Sequence, residues 1–61
     1  MSQLKKIRIK NGFTQQQIAD MVGIDRTAYV RIENGIREPK VALAIKLAEY
    51  FHTTVEDLFS N

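Results

Sequence analysis

Apolar residues recur along the chain at helical spacing, and glycines cut the pattern into short pieces. Leu4 and Ile7, with Asn11, share one face of a first helix over Gln3 to Asn11, and Gly12 follows as its stop. Phe13 is expected to plug the turn. Ile9 falls off this face, either as an ordinary exposed residue or as part of an interface. A second helix opens at Thr14, where Thr14-Gln15-Gln16-Gln17 has the form of a capping box. Ile18, Ala19, Met21 and Val22 give its buried face, and Gly23 ends it. The third helix opens at Asp25, whose carboxylate suits a helix N-terminus. Ala28, Tyr29 and Ile32 face inward, Val30 and Arg31 point elsewhere, and Gly35 is the stop.

After the loop Ile36-Arg37-Glu38-Pro39, a fourth helix is expected over about Lys40 to Phe51. Val41, Leu43, Ala44, Leu47, Ala48 and Phe51 supply a wide apolar stripe. His52-Thr53 breaks it. Thr54 caps a short fifth helix through Leu58 or Phe59, with Asp57 at the capping-box position and Val55, Leu58 and Phe59 apolar. Alternation at strand spacing is absent over any useful length. The expected fold class is all-α, with five helices in a single domain over residues 1–61.

The informative stretch runs from Gln15 to Asn34. Two short helices are joined by the turn Val22-Gly23-Ile24-Asp25. Close helix crossing needs a small residue, which Ala19 supplies, and the turn needs positive φ, which Gly23 tolerates. Ile18, Val22, Ile24, Tyr29 and Ile32 lock the pair to the core. The outward face of the third helix then carries Arg26, Thr27, Val30 and Arg31. Polar donors beside an apolar methyl surface are what a reader of the DNA major groove requires.

These residues closely resemble the lambda-repressor-like family of the Cro/cI, or XRE, type. The resemblance rests on Ile7-Arg8, Gly12-Phe13-Thr14-Gln15, Ile18-Ala19, Val22-Gly23-Ile24, Ile32-Glu33-Asn34-Gly35 and Pro39 in that order, with a tail from Leu43 to Phe59. It covers nearly the whole chain. It implies a compact five-helix DNA-binding domain with a central helix-turn-helix. The helix from about Arg26 to Asn34 would lie in the major groove. Arg26, Thr27 and Arg31 would reach base edges, and Val30 would meet a thymine methyl. Gln15 would bond a backbone phosphate and help to orient the recognition helix. Asn34 would meet phosphate again, and Arg37 and Lys40 are further phosphate candidates. Arg8 and Glu33 match an internal ion pair that ties the first helix to the third. Tyr29 stands where the family more often has Ile or Val, so its ring is expected to be buried with its hydroxyl reaching solvent or phosphate.

Charge sharpens this picture modestly. The net charge is +2 over 61 residues. Eight basic residues stand against four acidic ones in residues 1–40, and one against three in residues 41–61. The positive field therefore sits with the helix-turn-helix, which suits contact with a polyanion. There is no Cys, so no disulfide or thiolate metal site supplements the core. A chain this short buries only about 60% of its unfolded surface, which leaves little spare volume for a small-molecule inducer. His52, the one histidine, reads as a turn residue, not a metal ligand. Glu56 and Asp57 read as helix N-terminal carboxylates, not as a general acid–base pair. No nucleophile–base set, phosphate-binding Gly-rich loop or metal-ligand cluster is present, so no enzyme activity, cofactor or metal is expected. The longest hydrophobic-rich stretch, Val41 to Ala48, is too short to span a bilayer. The polar opening Met1-Ser2-Gln3-Leu4-Lys5-Lys6 lacks a signal-peptide core, so the expected compartment is the cytoplasm.

One recognition helix reads too few base pairs for useful selectivity. The expected protein is therefore a homodimeric transcriptional repressor on a palindromic operator, with Tyr50, Val55, Leu58 and Phe59 at the dimer surface. The alternative is a protein-interaction module of the same fold, such as an antitoxin or a bridging cofactor. RNA binding ranks third, since the chain lacks an aromatic platform for stacking single-stranded bases.

Overall fold

The computed structural model describes residues 3–60. The ends of the expected domain and of its polar opening, Met1, Ser2 and Asn61, lie outside the described residues. Five helices follow one another: α1 (Leu4–Lys10), α2 (Gln15–Val22), α3 (Arg26–Glu33), α4 (Val41–Tyr50) and α5 (Val55–Phe59). No strand occurs among the described residues.

Local chemistry starts the central helices. The Thr14 hydroxyl accepts from the Gln17 N–H while the Gln17 side chain accepts from the Thr14 N–H, a complete capping box. The Asp25 carboxylate accepts from the Ala28 N–H at 2.7 Å and caps α3. At α5 the box is only half built. The Thr54 hydroxyl accepts from the Asp57 N–H, but the Asp57 carboxylate accepts from the Thr53 hydroxyl at 3.4 Å.

One closing motif ends the first four helices. After α1, Gly12 donates to the Ile9 carbonyl and Phe13 to that of Arg8; after α2, Gly23 donates to Asp20 and Ile24 to Ala19. Gly35 and Ile36 repeat the pattern on Ile32 and Arg31, and His52 and Thr53 repeat it on Glu49 and Ala48. This is the Schellman arrangement, which needs positive φ at its first donor. Three of these positions are glycine, with φ between 76° and 79°, and the fourth is His52 at 53°.

Leu4, Ile18, Tyr29, Leu47 and Leu58 are the largest fully buried side chains, and Ala19 is buried completely among them. Phe13 closes the first turn by meeting the Phe51 ring edge-on, with centroids 6.2 Å apart. The Gln3 N–H donates to the Leu58 carbonyl at 2.8 Å, which pins the start of α1 to α5.

Two expectations are corrected here. Leu58 is wholly buried in the core of its own chain, so it is not available to a dimer surface. Val41, placed in the buried stripe of α4, is 77% exposed. It is the first residue of α4, and together with Ile45 one turn later it forms an outward face instead. Ala44, Leu47 and Ala48 are buried, and Leu43 is half-buried.

Candidate nucleic-acid interface

Helix α3 carries Tyr29, Ile32 and Glu33 into the interior and leaves Arg26, Thr27 and Arg31 exposed, with Val30 half-buried. Thr27 and Arg31 are one turn apart, as are Arg26 and Val30, so all four share the outward side. At 1.5 Å per residue, Arg26 and Arg31 are separated by about 7.5 Å along the helix axis, some two base-pair steps. Asn34 caps the end of α3 and is exposed, as are Arg37 and Lys40 in the following loop. The Arg37 N–H donates to the Arg31 carbonyl at 3.2 Å, which holds that loop against the helix end. The sequence-derived DNA-contact residues of α3 and its loop therefore fall on contiguous chain, with no buried member.

The first turn of α2 stands beside the start of α3. Its opening N–H groups have no partner within the helix. They adjoin an open depression of about 530 Å³ lined by Arg8, Phe13, Thr14, Gln15, Gln16 and Arg26. Backbone donors, the half-buried Gln15 amide and the exposed Arg26 guanidinium make a concavity suited to a phosphate.

Beneath this face lies a buried charge pair. Arg8 Nε donates to Glu33 Oε2 at 2.8 Å and Arg8 Nη2 to Glu33 Oε1 at 3.0 Å, a bidentate fork. Both residues are less than 10% exposed. Arg8 Nη1 also donates to the Phe13 carbonyl at 2.7 Å, a contact no sequence motif advertises. Gln15 Nε2 donates to Glu33 Oε1 at 3.2 Å, and Arg26 Nη2 reaches Gln15 Oε1 at 3.5 Å. Burial opposes ionisation of Glu33, but the hydrogen bonds from Arg8 and Gln15 and the Arg8 charge outweigh it and hold the carboxyl below its usual range.

Tyr29 corrects a further expectation. Its side chain is fully buried, and its hydroxyl reaches neither solvent nor the DNA face. That hydroxyl lies against the Arg8–Glu33 pair, outside good hydrogen-bond geometry to either. Burial and the adjacent Glu33 charge push its ionisation far up. The reason is position: Tyr29 points along the inner side of α3 with Ile32, so a larger side chain fills the core and does not escape it.

The expected dimer residues do not form one surface. Val55 and Phe59 line a groove of about 670 Å³ with Pro39, Val41, Ala44 and Ile45. Tyr50 is 42% exposed but lies elsewhere, beside Lys46 and Glu49, with its hydroxyl donating to the Met21 carbonyl at 3.2 Å. Sequence reasoning missed Ile45 as an exposed groove residue. Its signal was the Val41/Ile45 pair, one turn apart and off the stripe that Ala44, Leu47 and Ala48 define. Among the described residues no helix is long and apolar enough to cross a membrane.

The chain is similar to known helix-turn-helix proteins. A family model described as helix-turn-helix matches residues 4–58. An uncharacterized HTH-type transcriptional regulator of Archaeoglobus fulgidus is 38% identical over 58 residues, which cover 95% of this chain and 83% of the relative. A similarly described regulator of Methanocaldococcus jannaschii is 34% identical, covering 95% and 88%. The cryptic phage CTXphi transcriptional repressor RstR of Vibrio cholerae is 25% identical over 98% of this chain, which spans 54% of that protein.

Proposed function

From a chain that belongs to the helix-turn-helix family of the Cro/cI, or XRE, type, we propose a homodimeric transcriptional repressor that reads a palindromic operator through the major groove. That it is a DNA-binding HTH-type transcriptional regulator, and not an enzyme, follows from the family. The observation that carries the finer reading is the outward face of α3. Arg26, Thr27 and Arg31 project from a helix whose inner side is fixed by the buried Arg8–Glu33 fork. In this reading Arg26, Thr27 and Arg31 meet base edges, Val30 a thymine methyl, and Gln15, Asn34, Arg37 and Lys40 the phosphates.

The groove beside the end of α3 supports dimerisation. Asn34, Gly35 and Arg37 at the end of the recognition helix line the same groove as Val41, Ile45, Val55 and Phe59. A second copy seated there by a two-fold axis would place both DNA faces side by side. Recognition helices one turn of DNA apart, about 34 Å, each lie about 17 Å from that axis. The domain is 23 Å broad, which accommodates the offset. Repression, as against activation, is supported by the repressor named among the relatives.

The test is selection of binding sites from a random duplex library at near-physiological salt, where non-specific phosphate contacts weaken. The expected product is a palindrome with half-sites one turn apart. Arg31→Ala should then relax one position of each half-site at about 1–3 kcal/mol, while Gln15→Ala should weaken binding nearly equally across sequences, with any loss of selectivity confined to the base that Arg26 meets. Failure of the folded protein to enrich any sequence would replace this reading with the protein-interaction one.

A further inference from the structure

The buried fork makes one bond that joining α1 to α3 does not require. Glu33 Oε1 already accepts from Arg8 Nη2 at 3.0 Å, yet it also accepts from Gln15 Nε2 at 3.2 Å. The other end of the Gln15 amide faces Arg26, with 3.5 Å between Oε1 and Nη2. An ionised carboxylate only accepts and a guanidinium only donates. An amide held between them has one workable polarity: nitrogen toward Glu33, oxygen toward Arg26. A primary amide carries two N–H groups. One is taken by Glu33, which leaves the second for an anion in the depression at the start of α2.

We infer that Glu33, itself hidden from DNA, is a positioning residue for DNA binding: through the Gln15 amide it sets the phosphate-facing donor of α2 and the placement of Arg26 on α3. Arg8 serves the same role by holding the Glu33 carboxylate in its fork. The inference rests on the DNA-binding reading for its consequence but not for its geometry.

A single substitution at Glu33 would strand the Arg8 charge in the interior, so both partners must go together. Arg8→Met/Glu33→Met replaces a buried ion pair by apolar side chains, an exchange that folds often tolerate. Circular dichroism establishes that the variant is folded. Affinity is then measured for a random-sequence duplex at low salt, where phosphate contacts dominate, in the parent and in the Gln15→Ala background. The expected result is a loss of about tenfold in the parent and less than twofold once Gln15 is replaced, the signature of action through that residue. Equal losses in both backgrounds, or no loss in either, would overturn the inference. A second readout needs no DNA. The Gln15 side-chain amide resonances of the free protein should shift in the apolar variant toward those of an unrestrained glutamine. If the parent fails to bind duplex, the DNA reading falls, and the resonances alone decide the positioning role: unmoved signals would refute it.

Discussion

The two sides of this small domain share one apolar core, but only one of them adds a buried ion pair to it. Under the DNA face, α1, α2 and α3 meet around a bidentate Arg8–Glu33 fork extended to Gln15 and Arg26. Behind it, α4 and α5 are held by Ala44, Leu47, Ala48, Phe51 and Leu58, and leave Val41, Ile45 and Val55 open to solvent. Directional bonds fix orientations, whereas apolar burial fixes proximity and tolerates rearrangement. The first suits a surface that must present donors at set places. The second suits the proposed role of the groove as the seat of a second copy. On that proposal, the contrast teaches that the reading face is finished in the single chain and the groove is not.

The largest effect that breaks the contrast is loss of one end of the fork. Glu33→Ala leaves the Arg8 charge buried and unpaired, which costs about 3–5 kcal/mol, a large share of what a domain of this size possesses. Urea denaturation at neutral pH measures it. Acid probes the same bond without mutation. The Glu33 carboxyl titrates lower in the fold than in the unfolded chain. Its contribution is therefore complete above the unfolded value of about 4.3. It fades as pH falls through that value and is gone below the folded one. Arg8→Met/Glu33→Met should show a flatter loss over that interval, and an unchanged acid limb would remove the fork from the account of stability.

The smaller effect on the other side should divide the two roles of α4. Ile45→Lys puts a charge into the groove at a position that is 48% exposed and outside the core. Monomer stability should stay within about 0.5 kcal/mol, while self-association should weaken at least about tenfold, or 1.4 kcal/mol. Sedimentation at graded concentration separates the two. Association that ignores Ile45→Lys, and also Val55→Asp, would place the dimer surface elsewhere.

How much of this could be read in the sequence follows the same division. The central helices were legible because their signals are local: Thr14 with Gln17, Asp25, and the three glycine stops. The outward set on α3 followed from periodicity alone. Helix α4 was harder to orient, because Val41-Ala42-Leu43-Ala44-Ile45 is apolar on every side and cannot say which face turns inward. Leu58 failed for a related reason: in a five-residue helix, core and surface apolar positions look alike. The Gln15 amide depends on Glu33, 18 residues away, and the Tyr29 hydroxyl on Arg8 of α1 as well as on Glu33 one turn along its own helix; the approach of α1 and α2 to α3 is a property of the fold and not of any local pattern.

The smallest predicted effect tests the turn between α4 and α5. His52 occupies, at φ 53°, the position that glycine fills at the ends of α1, α2 and α3, and it makes the same pair of backbone bonds. A side chain in left-handed backbone costs about 1–2 kcal/mol, whereas glycine gives back part of that gain through its greater freedom when unfolded. His52→Gly should therefore stabilise the domain by about 0.5–1 kcal/mol, and His52→Val should destabilise it, because branching at Cβ fits positive φ worst. Thermal melts of the two variants give the signs. Since His52 is exposed and lies outside the proposed DNA-contact set, DNA affinity should not move with either. A destabilising glycine would mean that the imidazole stabilises the α4–α5 junction by more than its backbone strain costs, and the likeness of the four helix ends would then be one of geometry without a common energetic cause.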